Sequence, residues 1–172
     1  MPQNIEIKAK IDDPVRVHKI AASLADSDVE FIEQEDIFFN CDTGRLKLRF
    51  LSPTSGELIF YQRSNISGPK SSSYDIVKTD NPSHLRLVLA KAYGEKIIVR
   101  KTRHLFHVGR TRIHLDKVED LGNYLELEVV LEDGDNLQDG ENEAQKLMKL
   151  LNICSADLIN VAYADLLLEK QL

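Results

Sequence analysis

The sequence has no tryptophan, two methionines and two cysteines in 172 residues. Two thiols, Cys41 and Cys154, supply neither a disulfide framework nor a four-ligand zinc centre, so burial alone has to hold the core together. Cys41 reads as incidental beside a turn and Cys154 as a core residue among Leu151, Ile153 and Leu158. No run approaches the roughly 18 consecutive apolar residues of a membrane span. The opening MPQNIEIKAK lacks the apolar stretch of a secretory signal, so a reduced, cytoplasmic protein with no membrane partner is expected. There is no glycine-rich loop of the Walker pattern, which excludes a P-loop nucleotidase. Nor is there a basic surplus: 22 Lys and Arg face 28 Asp and Glu, for a formal charge of −6. Sequence-independent binding to nucleic acid, which depends on such a surplus, is not expected. What remains is globular, 42% hydrophobic and 29% charged, and long enough for a single domain over residues 1–172.

Period-two alternation is the dominant pattern. Ile5, Ile7, Ala9 and Ile11 alternate with Asn4, Glu6, Lys8 and Lys10, as on a strand with one apolar face. Asp12-Asp13-Pro14 starts a helix carrying Val17, Ile20, Ala21 and Leu24. Further strands are expected at 29–39, 45–51, 57–63, 74–78, 96–103, 105–116 and 124–131. A Ser/Gly/Asn/Pro-rich loop spans 64–73, and helices are expected after Asn81-Pro82 and over 141–151 and 155–168. Eight strands with few helices imply an α+β fold whose antiparallel sheet is curled or closed.

The charges on these strands segregate by face. Arg45, Lys47 and Arg49 share one face, Lys101 and Arg103 another, and Arg112, His114 and Asp116 a third; Glu126 and Glu128 stand together on a fourth. Like charges two apart on one face repel, so a freely solvated face tends to mix its signs. A closed barrel would instead gather these faces into a polar interior, with the apolar faces under helices. Guanidinium groups at that density suit a polyphosphate, and carboxylates beside it suit Mg²⁺ or Mn²⁺. His114 and Asp116 read either as an acid–base pair or as a structural hydrogen bond, and Tyr61 and Tyr74 either as a stacking surface or as wall packing.

The strings Glu6-Ile7-Lys8-Ala9-Lys10, Gln34-Glu35-Asp36-Ile37-Phe38-Phe39, Gly44-Arg45-Leu46-Lys47-Leu48-Arg49 and Leu121-Gly122-Asn123-Tyr124-Leu125-Glu126-Leu127-Glu128 resemble the CYTH family. That family joins class IV adenylyl cyclases with thiamine triphosphatases within the triphosphate tunnel metalloenzymes. Val99-Arg100-Lys101-Thr102-Arg103 and Ile113-His114-Leu115-Asp116 extend the likeness, which runs from Asn4 to Leu168. The resemblance implies an eight-stranded antiparallel closed barrel with helices outside. It implies phosphate binding by Lys8, Lys10, Arg45, Lys47, Arg49, Arg63, Lys101, Arg103 and Arg112, and catalytic roles for Lys8 and Lys70. It further implies Mg²⁺ or Mn²⁺ on Glu6, Glu126, Glu128 and Asp75, with Asn4 where the family has a glutamate.

The activity implied is metal-dependent hydrolysis of a small-molecule triphosphate by a monomer or homodimer. The alternatives are class IV-type cyclisation of ATP to cyclic AMP and pyrophosphate, and non-catalytic binding of polyphosphate or a phosphorylated ligand. The string from Gly44 to Tyr74 looks more like the cyclase-like branch than the thiamine triphosphatase branch.

Overall fold

Alternation of polar and apolar residues governs the architecture of the computed structural model, which describes residues 3–63 and 69–172, with Arg63, Lys70 and Ser72 described by backbone alone. The strands are β1 (Gln3–Lys10), β2 (Glu30–Phe39), β3 (Arg45–Ser52), β4 (Ser55–Arg63), β5 (Lys70–Thr79), β6 (Glu95–Val108), β7 (Thr111–Val118) and β8 (Gly122–Leu131). They pair antiparallel in a closed ring, β1-β5-β4-β3-β2-β6-β7-β8, so among the described residues no strand edge is left for another chain to pair with. The helices are α1 (Pro14–Leu24), α2 (Pro82–Tyr93), α3 (Leu137–Leu150) and α4 (Tyr163–Lys170). None is long and apolar enough to cross a membrane.

The ring is apolar on its outside. Ile5, Ile7 and Ala9 of β1, Ile113 of β7 and Leu125, Leu127 and Val129 of β8 are fully buried, and they pack with Val17 and Ala21 of α1 and Ala144 and Leu147 of α3. A second apolar layer joins Ile37, Phe39 and Leu48 to Leu89 of α2. Local chemistry starts these helices where the core needs them. The Asp13 carboxylate accepts from the Arg16 N–H at 3.0 Å with Pro14 in the first turn, and Asn81 accepts from the His84 N–H at 3.2 Å ahead of Pro82. In α3, Gly140 lies where a Cβ would come within 3.0 Å of Ile5 and Leu131, so the helix seats closely on β1 and β8.

Several boundaries differ from the expectations. β5 begins at Lys70, because residues 70–73 pair with Gln3–Glu6 of β1 and so close the ring; the expected loop reached Ser73. Of that loop, 64–68 lie outside the described residues. β6 runs on to Val108 and turns at Gly109, whose φ of 56° suits a residue without Cβ, so 105–108 belong to β6 and not to the next strand. α3 starts four residues early on an Asn136 cap. The expected last helix is broken into a 3₁₀ turn at Ser155–Asp157 and α4, with Asp165 capping the Ala162 N–H at 3.0 Å. Cys154 precedes that turn and is exposed, which corrects its placement in the core.

Because the outer face is the core, Leu127→Ala should lower unfolding free energy by about 2–5 kcal/mol. Denaturant titration followed by circular dichroism checks this, and a loss below about 1 kcal/mol would show the layer under α1 and α3 to be loosely packed.

Candidate active site

Side chains on a strand alternate faces, so an apolar outside leaves the polar positions pointing inward. They line a cavity of about 380 Å³. Asn4, Glu6 and Lys8 enter from β1, Gln34 and Asp36 from β2, Lys47 and Arg49 from β3, Lys101 and Arg103 from β6, Arg112 and His114 from β7, and Glu126 and Glu128 from β8. β4 and β5 contribute Glu57, Ile59, Tyr61, Tyr74 and Ile76. Ala162, Tyr163 and Ala164, where α4 starts, close one end. The interior is thus close to balanced in charge, with six basic and five acidic lining residues, and is not the predominantly basic cavity that the face pattern suggested.

Two buried aspartates organise the cations. Asp36 accepts from Arg49 Nε and Nη2, both at 2.8 Å, and from Lys47 Nζ at 2.9 Å. Asp116, beside the cavity, accepts from Arg103 Nε and Nη2, both at 2.7 Å, and from the Tyr163 hydroxyl at 2.8 Å, with Lys101 Nζ 4.0 Å away. In each case a Lys-x-Arg pair on one strand is held by an Asp of the neighbouring strand, which stands directly across the ladder from the Arg. Among the described residues neither guanidinium has a hydrogen bond on its Nη1 edge. Burial would raise both aspartates, but Arg49 and Lys47 hold Asp36 well below the usual carboxylate range, and Arg103 and Lys101 do the same for Asp116. Burial and the Arg49 charge push Lys47 down to about 8 against the pull of Asp36; burial and Arg103 lower Lys101.

The carboxylates of β8 form a third group. Glu126 lies 3.4 Å from Lys8 Nζ, and Glu128 accepts from Arg112 Nη2 at 2.8 Å and from the Asn4 amide. His114 stands between them, Nδ1 3.7 Å from Glu126 and Nε2 3.6 Å from Glu128, beyond hydrogen-bond length. Burial and Arg103 lower the His114 pKa, so the ring is neutral near pH 7. Glu126 is held well below its ordinary value by the Lys8 charge despite its burial. Glu6 faces Glu128 directly across the ladder. Asn4 Oδ1 is buried and, among the described residues, has no hydrogen-bond partner. This oxygen-rich set suits a hard dication in its chemistry. Among the described residues, no three His, Cys, Asp or Glu side chains converge enough to hold one unaided.

Other residues named from the sequence lie elsewhere. Lys10 is exposed at the end of β1, one step beyond the barrel interior. Asp75 is exposed because it falls between Tyr74 and Ile76, which take the inward parity. Arg45 shares the parity of Lys47 but sits at the closed end, where Asp165 of α4 takes it at 2.6 Å. The side chains of Arg63 and Lys70 lie outside the described residues. Two residues with central places carry no role in the strand-face pattern: Asp36, and Tyr163, whose ring lies 4.0 Å below Lys8 Nζ and 5.2 Å from Lys101 Nζ. The inward parity of Asp36, two residues before Phe38, was available; that of a C-terminal helix entering the barrel was not. Asp116 pairs with Arg103, not with His114.

The CYTH domain profile matches residues 2–163. The chain belongs to the CYTH family. Members of the family are enzymes of triphosphate chemistry, either triphosphatases or adenylate cyclase-like, and generally depend on a divalent metal. A Methanocaldococcus jannaschii protein provisionally named an adenylate cyclase is 28% identical over 172 residues, covering 94% of this chain and 97% of that protein. A Pyrococcus horikoshii OT3 protein superposes with a TM-score of 0.83 at 17% identity, over 95% of this chain and 98% of that one. A Hippeastrum protein described as a provisional adenylyl cyclase with a dominant triphosphatase activity gives 0.65 at 13% identity, over 99% and 96%. These two likenesses establish the CYTH barrel.

Two outcomes follow from the charge arrangement. Asp116→Asn leaves Arg103 buried without its counter-charge and should cost about 3–5 kcal/mol in denaturant unfolding; an unchanged midpoint would mean that Arg103 finds another partner. Lys47, protonated below about pH 8, should make polyphosphate affinity fall as pH rises through that value. Calorimetric titrations with inorganic triphosphate on either side of pH 8 check this, and Lys47→Met should flatten the difference.

Proposed function

We propose that the tunnel is the active site of a divalent-metal-dependent hydrolase acting on a triphosphate. The observation that carries this reading is the division of the interior. Lys47, Arg49, Lys101 and Arg103 present cations from β3 and β6, which flank β2, while Glu6, Glu126 and Glu128 stand on the paired strands β1 and β8. The Nη1 edges of Arg49 and Arg103 would bind phosphate oxygens, with each guanidinium kept in place by its aspartate. Lys8, beside Glu126, and Arg112, beside Glu128, are placed to offset charge that develops on the reacting phosphoryl group.

Glu6, Glu126 and Glu128, with Asn4 Oδ1 beside them, would hold Mg²⁺ or Mn²⁺ together with substrate oxygens. The ion would polarise the phosphoryl oxygens and neutralise their charge. The triphosphatase activity described for the Hippeastrum protein supports hydrolysis ahead of cyclisation. A second reading, a non-catalytic phospho-ligand binder, is favoured by Asn4 and by the pairing of Glu126 and Glu128 with Lys8 and Arg112.

Phosphate release from a panel of triphosphates with Mg²⁺ or Mn²⁺ decides between these readings, with product analysis of ATP separating free phosphate from cyclic AMP. Turnover is expected, and Glu126→Gln and Glu128→Gln should each cut it by more than the about 10–100-fold that outer-shell partners are worth. Asn4→Glu should lower the metal concentration needed for half-maximal rate. Binding without turnover would establish the binder, cyclic AMP the cyclase, and neither binding nor turnover would overturn the assignment.

A further inference from the structure

The two Asp-held Lys-x-Arg pairs are built alike except at one oxygen. Asp36 Oδ2 accepts from Arg49 Nη2 at 2.8 Å and from Lys47 Nζ at 2.9 Å. Asp116 Oδ2 accepts from Arg103 Nη2 at 2.7 Å, but its second donor is the Tyr163 hydroxyl at 2.8 Å. Lys101 Nζ stands off at 4.0 Å, beyond hydrogen-bond length. The phenol thus occupies the place that the lysine takes in the other pair. Burial and the Asp116 charge push its pKa well above the ordinary value, so it remains a donor.

The displaced lysine meets the ring instead. Lys101 Nζ lies 5.2 Å from the Tyr163 centroid and Lys8 Nζ 4.0 Å, both within the roughly 6 Å over which an aromatic face attracts a cation. These ammoniums come from β6 and β1, which are not neighbours in the ring of strands, and Tyr163 joins them. Its own place is fixed: the side chain is buried, the ring packs against Tyr124 at 5.1 Å, and Asp165 caps the Ala162 N–H at the start of α4. A lysine has a flexible four-carbon stem, so an ordered ammonium needs such a partner. Burial and Arg103 lower the Lys101 pKa, and the negative face of the ring acts against that loss of charge.

We infer that Tyr163 is a positioning residue for anion binding, its hydroxyl replacing Lys101 on Asp116 while its ring face holds the ammoniums of Lys8 and Lys101 in the tunnel. The inference rests on the proposed function and adds to it a residue of α4 that acts through the two lysines.

The experiment replaces Tyr163 in the full chain by phenylalanine and by mono-, tri- and pentafluorinated phenylalanines. Each lacks the hydroxyl, so its loss cancels within the series, while fluorine withdraws the negative charge of the face at nearly constant shape. Calorimetric titration with inorganic triphosphate, without divalent metal so that no turnover intervenes, should show affinity falling stepwise, by about tenfold from Tyr163→Phe to the pentafluorinated ring. A residue that only packs would give a flat series, and a ring that touched the anion itself would give a rising one; either overturns the inference and leaves the proposed function standing. In the unsubstituted protein the ε-methylene proton resonances of Lys8 and Lys101 should be moved upfield by the ring. Ordinary positions for either lysine would overturn the placement even if no variant folds. Failure of the unsubstituted chain to bind triphosphate would overturn the proposed function and this inference with it.

Discussion

Asp116 is almost wholly removed from water, yet it holds a guanidinium, faces an ammonium and accepts from a phenol hydroxyl. A charge buried without a partner costs several kcal/mol, so a barrel with a polar interior folds only if each inward charge meets its opposite. The two Asp-held Lys-x-Arg pairs satisfy this requirement on β2–β3 and on β6–β7. In each, two parallel hydrogen bonds fix one edge of the planar guanidinium of Arg49 or Arg103. The same pairs bring the interior near electrical balance while, among the described residues, the opposite edge of each guanidinium has no hydrogen bond.

That balance has consequences for the lysines. Lys47 and Lys101 are crowded by arginines in a poorly hydrated space, and both lose protons more readily than a surface lysine. A tunnel made only of cations would repel itself more strongly still. In the proposed function Asp36 and Asp116 would be as much part of the anion site as the basic residues, because they make that density of positive charge tolerable without a ligand. On the β8 side the relation is reversed: Lys8 and Arg112 hold Glu126 and Glu128, so a dication arriving with a triphosphate would enter a wall already partly neutralised. The wall of Ile59, Tyr61, Tyr74 and Ile76 on β4 and β5 stands outside both arrangements. It gives the cavity two chemistries side by side, which the alternation of a single strand would not create without the register of its neighbours.

Strand count, the caps of α1 and α2, and the charged faces of β1, β3, β6 and β8 were legible from residue order, because alternation and capping are local. Boundaries were lost where a partner strand decided them. Lys70–Ser73 looks like loop by composition but is strand because β1 needs a neighbour there, and Leu105–Val108 continues β6 because β7 pairs with it along its length. Of the basic residues, those in the middle of strands faced the tunnel as their parity required. Lys10 and Arg45 share the right parity but lie at strand ends, and parity says nothing about depth along the barrel axis. Asp75 had the wrong parity, which the true start of β5 makes plain.

Alternation by itself determined that most strands would carry one apolar and one charged face, since side-chain direction on a strand depends only on position. It left open which of the two faces would meet water. Closure of the ring decided that: once β1 pairs with both β5 and β8, the charged faces are inside, and the helices cover the apolar faces outside. Which aspartate holds which arginine, the entry of Tyr163 from α4, and the union of Ile59 with Ile76 beside Lys47 were likewise decided by tertiary structure. Each joins residues from different strands or from a distant helix, and the register that brings them together is a property of the closed barrel, not of any one segment.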